Sequence, residues 1–142
     1  MIGAILARKA VAGAFAALNR HDLPAFMSGW QGNGAFIYPG DIPESGVAKG
    51  KIAVEKWFGN FFEQFPEIHF EVRDICVRNI FSFSGNNVVA VHWDLLLKNR
   101  SGRAGQNSGV TVITIRKGKV SEVKDFIFDL GDNFRLNWQA RQ

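Results

Sequence analysis

Three side chains stand where a buried strand should carry none: His92 and Asp94 in VVAVHWDLLLK (88–98), and Asp125 in KVSEVKDFIFD (119–129). The first run alternates with a period of two and is apolar at nearly every position on both faces, the pattern of a strand covered on both sides. His92 and Asp94 are two residues apart and share a face. Val123, Asp125 and Ile127 share a face in the second run, so this acid also has apolar neighbours. A buried carboxylate is costly unless it is paired, hydrogen-bonded or protonated. Desolvation raises its pKa, and a second acid nearby drives the two values apart. One acid protonated and one ionised is what general acid–base chemistry requires, with an imidazole able to move a proton or hold a water. The competing reading pairs both acids with Arg73, Arg116 or Lys124 on a solvated face.

Strand pairing decides whether the acids meet. If Lys98 pairs with Gln106 across the turn NRSGRAG (99–105), Asp94 lies opposite Val110. If Arg116 pairs with Lys119 across Lys117-Gly118, a turn whose glycine accepts positive φ, Val110 lies opposite Asp125. Both acids then occupy one row with a single strand between them, ~9.6 Å apart on a flat sheet, which leaves room for a water or a substrate. His92 lies one pleat repeat, ~7 Å, along the strand from Asp94.

The elements that position these residues follow from periodicity. Val11, Ala14, Phe15 and Leu18 fall at helical spacing and predict a first amphipathic helix. Asp22 reads as the N-cap of a second, with Pro24 in its first turn and Leu23, Phe26, Met27 and Trp30 on its buried face. AFIY (35–38) is a short strand. PGDIPESGVAKG (39–50) is a loop, either a plain connection or a lid. Val54, Trp57, Phe58, Phe61 and Phe65 form an aromatic stripe on a third helix that Pro66 ends; such a stripe serves a core and can wall a cavity. From Glu67 the period becomes two, with a one-residue slip after Asp74 that marks a β-bulge. GDNFRLNWQARQ (131–142) reads as a polar tail. Helices followed by four consecutive strands predict an α+β class with a mainly antiparallel sheet, in one domain spanning residues 1–142.

Composition narrows the partners. Thirteen Phe and four Trp are a heavy aromatic load for 142 residues and suit a pocket for a small apolar molecule. The net charge of +4 is dispersed, and the one dense basic set, Lys98, Arg100 and Arg103, reads as a solvated hairpin tip, so no nucleic-acid partner is expected. No run approaches the ~18 apolar residues of a membrane span, so no membrane partner is expected either. Three scattered His and one Cys suggest no metal site, and no cofactor is expected. Cys76, in DICVRNI, reads as a buried structural thiol in a reducing compartment. The first twenty residues hold Arg8, Lys9 and Arg20 and no acid, as transit peptides do, but they lack Ser and their apolar spacing is that of packing. The cytoplasm is the expected location.

The order helix–helix–short strand–helix–four-strand meander resembles the nuclear-transport-factor-2-like superfamily, which includes the SnoaL-like proteins. The GKVSE opening of the last strand (118–122) resembles its usual Gly-Lys-Ile-x-Glu. The resemblance implies a cone, a strongly bent sheet wrapped round the helices and a deep apolar pocket, often in a homodimer. Within the superfamily the site pattern is most similar to limonene-epoxide hydrolase: His92-Trp93-Asp94 falls on its Arg-x-Asp, and Lys124-Asp125-Phe126 falls on its last-strand motif. That resemblance implies Asp125 as the base that activates water and Asp94 as the acid that protonates a leaving oxygen. His92 stands in place of the arginine, and Tyr38 is the loose counterpart of a water ligand. SnoaL-type polyketide cyclases also use a last-strand Asp, which Asp125 could supply. Hydrolysis, isomerisation, dehydration and cyclisation therefore stay open, with Asp94, Asp125 and His92 as working groups and Tyr38, Trp30, Trp57, Phe61 and Trp93 as substrate-binding residues. The rival is a non-catalytic ligand-binding or assembly protein of the same fold.

Overall fold

A computed structural model describes residues 2–139, residue 2 by its backbone alone. Two helices, α1 (Ile2–Asn19) and α2 (Leu23–Met27), precede the strands β1 (Trp30–Tyr38) and β2 (Gly46–Lys49) and the helix α3 (Lys51–Gln64). The strands β3 (Glu67–Val77), β4 (Asn87–Lys98), β5 (Ala104–Arg116) and β6 (Lys119–Ile127) follow, and α4 (Asp132–Trp138) comes last. All six strands join one curved, unclosed sheet in the order β2-β1-β6-β5-β4-β3, antiparallel except where β1 meets β6. This is the cone that the resemblance implied.

The first helices form where their signals stand. Asp22 caps α2, its Oδ1 accepting from the Ala25 N–H at 3.1 Å. Trp30 does not continue that helix: Ser28 and Gly29 release the chain, and Trp30 opens β1 with its indole in the core. Asn19, at the end of α1, closes the unpaired edge of β3 by donating to the Phe70 carbonyl (3.0 Å) and accepting from the Phe70 N–H (2.7 Å). The aromatic stripe of α3 packs on β1 and α2, with Trp57 at 4.6 Å from Phe36 and Phe58 at 4.5 Å from Phe26. Residues 46–49 of the expected loop pair with β1, and the Trp57 indole donates to the Glu44 carbonyl at 3.0 Å, which pins the rest.

Among the described residues only one face of the sheet is covered. Along β4 the residues Val89, Val91, Trp93 and Leu95 are buried beneath the helices, whereas His92 and Leu96 are exposed and Asp94 is half-exposed on the other side. The expectation of a strand covered on both sides is therefore corrected. Outward-facing apolar residues such as Val88, Ala90 and Leu96 imitate a second buried face that the fold does not build. The bulge in β3 falls between Val72 and Asp74, so the extra residue is Arg73. Beyond it Cys76 points outward and is exposed, which corrects its reading as a buried thiol.

The expected polar tail is α4 in the described residues, and residues 140–142 of it lie outside them. Phe134 and Trp138, at i and i+4, are buried. The Asn137 carbonyl accepts from Gln64 Nε2 (2.8 Å) and Asn99 Nδ2 (3.0 Å), and Arg103 Nε donates to Asn137 Oδ1 (3.1 Å). Part of the dense basic set thus anchors the helix that closes one end of the cone.

Candidate functional site

The helices and the covered sheet face enclose a cavity of about 440 Å³, within the range of small-molecule sites. Its walls are overwhelmingly apolar and aromatic. Tyr38, Trp30, Trp57, Phe61 and Trp93 all line it. Among the described residues Asp125 is the one carboxylate in the lining. The exposed lining residues Ala10, Gly13, Ala25, Ser28, Gly29 and Gly118 mark the mouth, between α1, the end of α2 and the β5–β6 turn.

Asp125 faces inward because of the local pairing of β6. Arg116 pairs with Lys119 and Ile115 with Val120, but the next pair is Thr114 with Glu122, leaving Ser121 as an extra residue. This bulge changes the parity of everything after it, so Asp125 lies opposite Thr111 rather than Val110. On β4, Thr111 faces Val91, between the buried Val89 and Trp93. The covered face therefore receives Asp125 together with Val123 and Ile127.

A short hydrogen-bond relay holds the carboxylate. Trp93 Nε1 donates to Thr111 Oγ1 at 2.8 Å, and the Thr111 hydroxyl donates to Asp125 Oδ1 at 2.6 Å. The indole can lie across β5 because its partner there is Gly109, where a Cβ would collide with the ring and with the Phe126 carbonyl. Burial pushes the Asp125 carboxyl up to about 6, against the opposing pull of the Thr111 hydroxyl. Thr111 was not singled out by sequence reasoning; in GVTVITIR (109–116) it resembles any strand threonine, and only the pairing with Asp125 gives it a partner.

Tyr38 supplies the second polar group. Its hydroxyl accepts from Trp138 Nε1 at 3.1 Å, so the phenol proton remains available to donate. Burial drives its ionisation far above the usual tyrosine range, opposed by the Trp138 bond and reinforced by the charge of Asp125. Sequence reasoning missed Trp138 as well. Its signal was the i, i+4 spacing of Phe134 and Trp138.

His92 and Asp94 do not join the site. Asp94 pairs across the sheet with Ser108, two residues from the expected Val110, and its side chain lies on the open face. There Arg73 Nε meets Asp94 Oδ2 at 2.7 Å, and Arg73 also reaches Glu71 at 3.2 Å. His92 Nδ1 sits 3.0 Å from Asp74 Oδ2 on the same exposed surface. The expected row of two acids and an imidazole is thus corrected: one acid is inside the cone and the other two groups are outside. For Asp94 the competing reading, an ion pair with Arg73, describes the geometry. Among the described residues no three His, Cys, Asp or Glu side chains converge as metal ligands would.

Comparison with solved structures returns the same cone many times. Bal32a, from a soil-derived mobile gene cassette, is 19% identical and superposes with a TM-score of 0.80 over 96% of this chain and 99% of its own. TerC, co-crystallised with polyporic acid, is 17% identical with a TM-score of 0.69 over 85% of this chain and 89% of its own. A Bacillus subtilis protein provisionally named an isomerase is 20% identical with a TM-score of 0.72 over 90% of each chain. Comparison with functionally curated sequences finds no match. The family profile described as a SnoaL-like domain matches residues 11–123, ending two positions before Asp125. By that match and by its cone-shaped architecture, the chain belongs to the SnoaL-like family of the nuclear-transport-factor-2-like superfamily.

Proposed function

We propose that the protein is an enzyme that moves a proton on a small, largely apolar carbonyl compound, an isomerisation or cyclisation without metal or organic cofactor. The observation that carries the proposal is a single carboxylate, raised to about 6, lining an apolar cavity that also holds a protonated phenol. A general base works best with a pKa near the operating pH, and Asp125 is mostly ionised just above that value. Asp125 takes a proton from the carbon beside the carbonyl. The Tyr38 hydroxyl donates to the oxygen on which negative charge then develops, in a site with little water to compete. The proton returns to a different carbon in an isomerisation; in a cyclisation the new carbanion attacks a second carbonyl carbon of the same molecule, whose C=O π pair becomes an alkoxide that takes the proton back from Asp125. Trp93 and Thr111 keep Asp125 aimed, and the aromatic walls orient the substrate.

Hydrolysis by two opposed acids fits less well, because Asp94 lies on the far side of the sheet. The structural relative provisionally named an isomerase adds fold-level support only. A homodimer formed through the open sheet face is part of the same proposal, since it would cover Leu96, Phe126 and Phe128, which are exposed.

The test is solvent-deuterium incorporation into a panel of cyclic enones and polyketide-like diketones, followed by NMR. The native protein is expected to exchange the proton beside the carbonyl, and Asp125→Asn to slow that exchange about 10²–10⁴-fold. Absence of exchange with ligands shown to bind in the cavity would overturn the proposal in favour of a carrier.

A further inference from the structure

Three segments meet beside the cavity mouth: the start of α1, the loop of residues 78–86 between β3 and β4, and the β5–β6 turn. The Gly118 N–H donates to the Gly85 carbonyl at 2.8 Å, and the Lys117 N–H donates to Asn86 Oδ1 at 2.9 Å. Gly3 lies so close to the Ser82 carbonyl that a Cβ would not fit between them. These contacts tie the segments into one surface. It exposes large apolar side chains: Phe81 is 70% and Phe83 78% accessible, and Ile5 and Leu6 are 59% and 60% accessible. Arg8 and Lys9 on α1, Arg78 in the β3–β4 loop, and Lys117 and Lys119 at the β5–β6 turn are exposed on the same three segments. Residues 3–21, 75–93 and 110–121 contain no Asp or Glu.

We propose that this end of the molecule docks on an anionic lipid bilayer. Phe81 and Phe83 enter the boundary between headgroups and acyl chains, and the cations on the same three segments meet the lipid phosphates. Among the described residues no helix is long and apolar enough to cross a membrane, and the contact proposed is with the bilayer surface. A nucleic acid would satisfy the cations, yet it would leave four large apolar side chains in water; a bilayer satisfies both. The mouth gives the arrangement a use. Gly118 belongs both to the docking turn and to the cavity rim, where Gly29 O accepts from the Val120 N–H at 2.8 Å. An apolar ligand could therefore pass between bilayer and cavity without crossing bulk water. This inference rests on the surface alone and does not depend on the reaction proposed for Asp125.

Flotation with vesicles of equimolar phosphatidylcholine and phosphatidylglycerol, against vesicles of phosphatidylcholine alone, tests it. The protein is expected to float with the anionic vesicles, weakly or not at all with the neutral ones, and less as salt is added. The double variant Phe81→Ser/Phe83→Ser should lose at least about tenfold in partitioning. Arg8→Gln should lose about fivefold. Because these side chains are exposed, both variants should keep the native melting temperature, which circular dichroism checks. No flotation with anionic vesicles would overturn the proposal. So would flotation indifferent to the Phe81/Phe83 variant, or salt-sensitive binding to DNA without binding to vesicles.

Discussion

Asp94 and Asp125 sit on strands separated by one other strand, yet they face opposite sides of the sheet, and the side sets their chemistry. On the open face Asp94 has a guanidinium at 2.7 Å and bulk solvent around it, so its charge is already compensated. On the covered face Asp125 has apolar neighbours and one neutral hydroxyl donor, and desolvation raises its pKa to about 6. The same side chain is an exposed ion-pair partner in one place and, in the other, a buried acid to which the proposed reaction assigns the proton transfer. A carboxylate earns a functional reading from its surroundings, not from its place in an apolar run.

The comparison can be broken most sharply at Asp125. Folding raises this carboxyl from its ordinary 3.8 to about 6, so between those values the native state holds a proton that the unfolded chain releases. The favourable contribution is complete below the unfolded value and is lost as pH rises through the folded one, about 3 kcal/mol in all. Asp125→Asn removes the charge, so near about pH 8 the variant should be more stable than the native protein by up to about 3 kcal/mol, with the gap closing towards about pH 4. Urea melts at both ends of that range measure it. A variant that is less stable at high pH would mean that the carboxylate is compensated after all.

Thr111→Val tests the relay. The buried Trp93 N–H would lose its acceptor, at a cost of about 1–3 kcal/mol. The Asp125 carboxyl would lose the one donor that draws it down, so its titration, followed by its infrared carboxyl band, should move upward from about 6. A titration that stays put would show that the relay is structural only.

The smallest effect is expected on the open face. Arg73 and Asp94 are 48% and 42% accessible, and exposed pairs contribute little. Asp94→Asn should shift stability by less than about 1 kcal/mol and leave turnover intact. If it slowed turnover as much as Asp125→Asn, the division between the two faces would fail.

Much of this arrangement was legible in the chain. The stripes of α1 and α3, the cap at Asp22, the strand periods and the slip in β3 are local signals, set by geometry within a few residues. The aromatic residues expected to meet a ligand, Trp30, Tyr38, Trp57, Phe61 and Trp93, do line the cavity, because large apolar side chains at helical or alternating spacing go to the covered side. α4 was overlooked although Phe134 and Trp138 carried its spacing, because the surrounding residues are polar. Beyond the burial of Phe134 and Trp138, it is held by hydrogen bonds from Asn99, Gln64 and Arg103, distant in sequence.

The sequence by itself determined α1, the start of α2, α3, the four-strand run that follows it and the presence of an acid among the apolar residues of the last strand. Tertiary structure alone decided which face of each strand the helices cover and where the ladder gains an extra residue. Asp94 alternates with Trp93, so covering the Trp93 side turns Asp94 outward. Asp125 turns inward because Ser121 is left out of the β5–β6 ladder. Side-chain direction in a sheet has a period of two, so one unpaired residue reverses it for the rest of the strand. Pairing between strands settles that reversal, and no local pattern in the chain records it.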